Sequence, residues 1–378
     1  MKIYDVYPLN PIEIVKGKGS YVYDSKGQEY LDLYGGHAVI SIGHTHPHYV
    51  KCIEDQLEQI GFYSNSIEIP QQQKLASLLG EVSGIKEYQL FLCNSGAEAN
   101  ENALKLASFF TGRKKVIAFE KAFHGRTSLA VAATDNKKIC APINETEHII
   151  FLPFNDEEAL SAAFTSYGEE ICAVILEGIQ GVGGIQVASP TFIKNIRELT
   201  KEYGAVFIAD EVQCGYGRTG DFFSLDVTGV QADIYTMAKG MGNGFPIGAL
   251  AIGPQFIPWH GQLGTTFGGN HLACAAAIAV LEVIKKEQLL ENVKEVGSYL
   301  ISELNKFDKV LEVRGKGLMI GIDFPVELKD VRKELLLSDY IFTGAAAPHV
   351  MRLLPALNLS KQQADVFLEK LNNRLKGY

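Results

Sequence analysis

Four stretches of the chain set reactive residue types directly after apolar runs. In TMAKGMGNGFPIG (236–248), Lys239 is the only charged residue among glycines and apolar neighbours. Lysine ordinarily keeps its ammonium in water. One desolvated in a cleft holds its proton less tightly and becomes a better nucleophile. The P-loop pattern GxxxxGK followed by Ser or Thr is absent, so Lys239 is not a P-loop lysine. In ADEVQCGYGRTG (209–220), Asp210 ends an apolar run and Gln213 follows three residues on. A carboxylate there is costly to bury without a cationic partner. In CNSGAEAN (93–100), Ser95 and Glu98 have capping-box spacing, and Gly96 and Ala97 leave the first helical amides open as an anion seat. In KAFHGRT (121–127), Phe123 can stack on a flat ring and Arg126 can hold a carboxylate through two hydrogen bonds. Each stretch also has an ordinary structural reading: a surface lysine, a strand-to-helix turn, a loop-capping acid, a packed aromatic.

The elements that must position these residues follow from the hydrophobic pattern. Residues 88–93, 115–119, 172–177, 205–210, 234–238 and 248–253 read as buried strands, with helix-like stretches at 96–110, 155–166 and 190–203. Such alternation predicts an α/β fold with a mostly parallel central sheet sandwiched by helices. In such sheets ligands bind at the carboxyl ends of the strands, where all four stretches fall. Both chain ends read differently. Residues 19–33 suggest an antiparallel hairpin turning near Ser25-Lys26-Gly27. A long helical region (270–306) precedes 310–324, 340–344 and 350–357, and a last helix starts at Ser360, with Gln363 completing a capping box. The expected organisation is a large domain over 46–270 and a smaller α+β domain from 1–45 and 271–378, led by a connecting helix.

With 378 residues, 47% hydrophobic and 21% charged, the chain has a globular composition with room for two cores. A net charge of −9 without a basic run argues against nucleic acid or an acidic membrane surface as partner. The N-terminus MKIYDVYPLNPIEIVKGKG has no apolar signal region, and no apolar run approaches a membrane span. Cys52, Cys93, Cys140, Cys172, Cys214 and Cys274 are scattered without a CxxC pair, as suits a cytoplasmic protein. GHTHPH (43–48) would set His44, His46 and His48 on one face of a strand. Pro47 interrupts it, so no metal is expected.

An anion seat, an aromatic platform, a buried acid and a buried amine are the parts a pyridoxal phosphate site needs: the amine forms the Schiff base, and the acid keeps the pyridine nitrogen protonated. At this point the chain resembles the class III, fold-type I aminotransferases, nearest to those acting on acetylornithine and succinylornithine. The likeness runs from YPLNP through YLDLYGGHAVISIGHTHP to VMRLLPAL, with NSGAEAN, AFHGRT, ADEVQCGYGRTG, MAKGMGNGFPIGA and GTTFGGN in order. It implies a homodimer with shared active sites and roles at matching positions. Lys239 would join the cofactor, Asp210 would face the pyridine nitrogen and Gln213 the phenolic oxygen. Ser95, Gly96 and Ala97 would seat the phosphate, with Thr266 reaching it from the partner subunit, and Phe123 would stack on the ring. Arg126 would hold the distal carboxylate of the substrate and Arg352 the α-carboxylate of a 2-oxoglutarate acceptor. Thr265, Tyr7 and His37 would line the substrate pocket. The implied reaction moves the terminal amine of an N-acylornithine to 2-oxoglutarate, in arginine biosynthesis.

Two departures stand out. Relatives usually read EPIQGEGG where this chain has EGIQGVGG (177–184), so Val182 replaces a glutamate that masks the α-carboxylate arginine while an ω-amine donor is bound. Either a neighbouring acid substitutes or the donor differs, N-succinylornithine being one such donor. His37 stands where relatives commonly carry an apolar residue or tyrosine; it either donates to an acyl oxygen or packs as a neutral ring. Ornithine δ-aminotransferase, 4-aminobutyrate aminotransferase and a related aminomutase share the cofactor residues and stay open, as does a catalytically silent binding homologue. A nicotinamide oxidoreductase is disfavoured, because ILEGIQGVGGIQ lacks GxGxxG followed by a helix.

Overall fold

Seven apolar runs assemble into one sheet in the computed structural model, which describes residues 1–325, 329–347 and 349–377. They are β1 (Gln89–Cys93), β2 (Lys115–Phe119), β3 (Ile149–Leu152), β4 (Ile171–Leu176), β5 (Val206–Asp210), β6 (Ile234–Met237) and β7 (Gly248–Ile252). Their order is β1-β7-β6-β5-β4-β2-β3. Only β7 runs against its neighbours; every other pairing is parallel. The central strands β4 to β7 are buried along their whole length, as a parallel sheet covered on both faces requires. β3 is absent from the sequence expectation. It is a four-residue edge strand with one buried side chain, too short and too exposed to leave a clear apolar signature.

The helices that position the site are α1 (Pro47–Gln59), α2 (Gly96–Thr111), α3 (Pro190–Tyr203), α4 (His271–Lys286), α5 (Leu289–Leu304) and α6 (Lys361–Leu375). The expected helical region 270–306 is two helices, because Gln288 takes a left-handed φ of 51° between α4 and α5. α4 buries residues all round its axis, which marks it as a core helix. Both arms of the Ser360–Gln363 capping box form. At α2 only one arm does: Ser95 accepts from the Glu98 amide, whereas the Glu98 carboxylate reaches one residue further back, to the Asn94 amide.

The two chain ends share a small sheet, in which Ile341–Phe342 runs parallel to Leu31–Asp32 beyond the hairpin Tyr21–Asp24 and Glu29–Asp32. The histidine cluster is not on a strand. Pro47 opens α1, so His44 bonds Asp32 (2.9 Å), His46 stands just before the helix with its side chain on Glu287 (2.9 Å), and His48 lies within the helix facing Glu282 (2.7 Å). Among the described residues, no helix is long and apolar enough to cross a membrane.

Two buried polar side chains join the chain ends to the large sheet. The Arg218 guanidinium donates to the carbonyls of Ile40, Leu318 and Pro355. Asn243 accepts from the amides of Ser41 (2.8 Å) and Ile42 (3.1 Å) and donates to the Gly43 carbonyl (3.0 Å). Removing the carboxamide strands three buried backbone groups, each with a desolvation cost. Asn243→Ala is therefore expected to lower stability by about 3 kcal/mol in urea unfolding. A change below a few tenths of a kcal/mol would show that this junction is not structural.

Candidate active site

Because β1, β2, β4, β5 and β6 are parallel, their carboxyl ends open on one edge of the sheet. Ser95 lies just beyond β1, Phe123 beyond β2, Glu177 directly after β4, Asp210 at the last position of β5, and Lys239 two residues after β6. Residues up to 144 positions apart in sequence thus meet over one cleft.

Asp210 is the most tightly held of them. Its Oδ2 lies 2.7 Å from His124 Nδ1 and accepts from Asn100 Nδ2 at 2.7 Å, and its Oδ1 accepts from the Val212 amide at 3.0 Å. Asn100 is itself fixed by Thr236, whose hydroxyl donates to it at 2.6 Å. Burial alone would loosen the His124 proton, but the hydrogen bond and charge of Asp210 outweigh it and raise His124 above its ordinary value. Sequence reading passed over His124 and Asn100, since nothing local marks partners 86 and 110 residues from Asp210.

Lys239 sits in a short turn with a left-handed φ of 41°, rare for a residue with a Cβ. Burial lowers its hold on the proton below the lysine norm; the negative charges of Asp210 and Glu177 only partly oppose this. Glu177, raised by burial, accepts from the Phe123 amide (3.0 Å) and the Gly181 amide (3.0 Å), so it braces both loops beside the cleft.

The helix start suggested by the sequence is formed. α2 begins at Gly96 with Ser95 as cap, and a side chain at Gly96 would lie 2.6 Å from Val212. A Cβ at Gly125, next to the Phe123 loop, would lie 2.7 Å from Ala97, so this wall admits only small residues. Gln213 reaches His37 O through Nε2 (3.4 Å), and its Oε1 is buried without a partner among the described residues. His124 Nε2 is likewise buried and unpartnered. Orphaned polar atoms around a cradle shaped by glycines fit a polar, flat, anionic group such as pyridoxal phosphate.

The far end of the cleft is cationic. Arg352, buried on a strand between Gly321 and Gly344, donates Nη1 to the Gly181 carbonyl at 2.9 Å and leaves Nε unpartnered. No carboxylate pairs with it among the described residues, and Val182 is 44% exposed. Burial and the like charge of Arg332 lower Arg352 below the usual arginine value. Sequence reading also missed Arg332. Its Nη2 donates to Thr343 O at 3.1 Å, beside Gly344, and its Nε is unpartnered. The Tyr34 ring borders Gly344, and its hydroxyl lies 2.8 Å from His37 Nε2. His37 is thus placed with Tyr34 at the Arg352 end, and burial together with Arg352 and Lys239 keeps its ring from charging easily. Residues 35–38 all carry positive φ, two of them with a Cβ: His37 at 68° and Ala38 at 63°.

Four named residues stand apart within one chain. Tyr7 lies 75% exposed on an N-terminal stretch without regular structure. Arg126 and Thr266 are exposed. The Thr265 hydroxyl is engaged by Asn94 Nδ2 and the Gly268 amide, each at 3.2 Å. EGIQGVGG holds one short strand, Ile179–Gln180, which pairs with Gln186–Val187 just beyond it, and the next helix waits until Pro190, so no dinucleotide-type loop forms here.

Residues 4–375 match the family described as Aminotransferase class-III. An acetylornithine aminotransferase of Methanosarcina acetivorans is 40% identical over 98% of this chain and 93% of its own length. One from Archaeoglobus fulgidus is also 40% identical, over 98% and 97%. A solved ornithine aminotransferase of Toxoplasma gondii, with pyridoxal phosphate at partial occupancy in its active site, superposes with a TM-score of 0.92 at 28% identity, covering 99% of this chain and 92% of that one. A lysine of weakened basicity, a carboxylate fixed by three donors and an open helix start, on one sheet edge, are accounted for by this kinship: the chain belongs to the class III aminotransferases and is a pyridoxal-phosphate-dependent transaminase.

Proposed function

We propose that the chain moves the terminal amine of an N-acylornithine, acetyl or succinyl, to 2-oxoglutarate, giving the N-acylglutamate semialdehyde and glutamate for arginine biosynthesis. The observation that carries the chemistry is the convergence of Lys239, Asp210 and the α2 start on one sheet edge. The donor rests on relatives named acetylornithine aminotransferase at 40% identity.

Pyridoxal phosphate, when bound, supplies an electron sink for a carbon that gives up its proton. Gly96 and Ala97 would hold its phosphate through their amides at the α2 start, with Ser95 alongside. Asp210, held by His124, Asn100 and the Val212 amide, would hold a proton at the pyridine nitrogen. Phe123 would cover the ring and Gln213 would donate to its phenolic oxygen. Lys239 would anchor the group covalently; once released, its weakly basic amine would take and return the migrating proton as general base and acid. Arg352 would seat the acceptor's α-carboxylate and Arg126 a distal carboxylate, with Tyr7, His37 and Thr265 lining the pocket. Thr266 would act in the partner subunit's site. The exposed Tyr4, Tyr7, Leu9, Phe62, Tyr63 and Phe267 support burial against a second copy.

A second reading has its own observation. Arg352 is met by one carbonyl and no carboxylate, so a donor with a carboxylate beside the reacting amine is better matched there than a plain terminal amine. Bleaching of the yellow protein by single donors, without acceptor, separates the readings. N-acetylornithine or N-succinylornithine is expected to react fastest among a panel with ornithine, 4-aminobutyrate and alanine. Preference for alanine would favour the second reading, and no bleaching by any donor would overturn both while leaving the cofactor site standing. Val182→Glu gives Arg352 an ionic partner and is expected to shift selectivity from alanine toward terminal amines by about tenfold, as one charge-assisted hydrogen bond allows. Asp210→Asn is expected to slow the half-reaction by roughly 100-fold or more, with the yellow protein still formed. An unchanged rate would remove Asp210 from its role.

A further inference from the structure

The histidine-rich loop that opens α1 carries a feature unrelated to transamination. His48 and Cys52 are four residues apart on α1, hence one turn apart on one face. α4 packs beside α1 and directs Glu282 at the same point, 230 residues further along the chain. His48 Nε2 lies 2.7 Å from Glu282 Oε2 and 3.6 Å from Cys52 Sγ. The three donor atoms all lie within 4.8 Å of one another. None of the three residues contacts a group assigned above to cofactor or substrate.

We propose that His48, Cys52 and Glu282 form a surface zinc site that ties α1 to α4. The donor set of imidazole nitrogen, thiolate sulfur and carboxylate oxygen suits Zn²⁺, whereas Mg²⁺ and Ca²⁺ take oxygen alone. The geometry agrees. Nitrogen and sulfur bound to zinc at about 2.1 and 2.3 Å, at a tetrahedral angle, stand about 3.6 Å apart. That is the separation between His48 Nε2 and Cys52 Sγ. The His48–Glu282 pair must open by roughly 0.6 Å to take the same ion. Lys74 holds the other carboxylate oxygen, Oε1, at 3.1 Å, which leaves Oε2 to the metal; its side chain is 62% exposed and free to swing away. Lys51 and Asp55, paired with each other on α1, are the remaining charged neighbours. Binding moves the Nε2 proton of His48 to Nδ1 and releases the Cys52 thiol proton to solvent. The thiolate and the carboxylate then neutralise the ion, and water takes the fourth position.

Cobalt(II), which replaces zinc and reports on its ligands, is the probe. Holoenzyme titrated with Co²⁺ is expected to gain, at one equivalent per chain, a sulfur-to-cobalt charge-transfer band in difference spectra. Cys52→Ser is expected to abolish the band. His48→Ala is expected to weaken binding at least ~10-fold, as loss of one metal ligand does. Cys140→Ser, which alters the other half-buried cysteine, should leave the band intact. Transaminase activity of the three variants is expected to match the parent, and Zn²⁺ should displace the cobalt stoichiometrically. Absence of the band in the parent protein, or its persistence in Cys52→Ser, would overturn the proposal.

Discussion

The cleft depends on one buried anion. Asp210 ends a strand whose five residues are all covered, a place where a lone carboxylate would take up a proton and lose its charge. Here His124, Asn100 and its own loop meet the carboxylate with three hydrogen bonds. Asn100 is on α2, His124 on the Phe123 loop and Thr236 on β6, so a single carboxylate gathers the start of α2, the Phe123 loop and the lysine strand. The same charge opposes the desolvation of Lys239, which remains a weak base in spite of it. Fold and chemistry are therefore set by the same contacts at this edge.

The opposite end is organised by unpaired positive charge. Two guanidiniums, Arg332 and Arg352, converge near Tyr34 with carbonyls as their only described partners. Carbonyl dipoles orient a guanidinium but do not cancel it, so the field of this pocket stays positive. The glycines paired with Arg352 on both neighbouring strands admit the Ile185 and Tyr34 side chains, which pack against them. Arg352 meets the Gly181 backbone and, among the described residues, no acid, and Glu177 fixes that backbone in position.

The sheet was legible from the sequence because parallel, doubly covered strands write themselves as continuous apolar runs. β5 to β7 fall within the runs expected for them, and β4 starts one residue before its run. The reactive stretches were legible for the same reason: a loop at a strand's carboxyl end inherits its place from the strand. What escaped was non-local or conformational. β3 gives little apolar signal because it lies at an edge. The turn at Gln288 depends on one φ angle in a continuously helical pattern. The Asp210–His124 contact, Arg332 beside Arg352 and Glu282 beside His48 are juxtapositions made only by packing. Pro47 does signal a change: in a strand it would be an interruption, whereas at the first helical position it starts a helix.

The run of positive φ at residues 35–38 sets how this wall of the pocket can diversify. A left-handed turn costs roughly 1–2 kcal/mol for each residue with a Cβ, and that cost belongs to the backbone. It has already been absorbed at position 37 by the contacts that hold the turn. Exchanging one unbranched side chain for another there adds little further strain, while a β-branched one would add more. A position whose folding cost is nearly independent of its side chain is free to drift under selection for a new substrate. Strain in the main chain, usually regarded as a constraint on a protein, here makes one wall of the cleft evolvable.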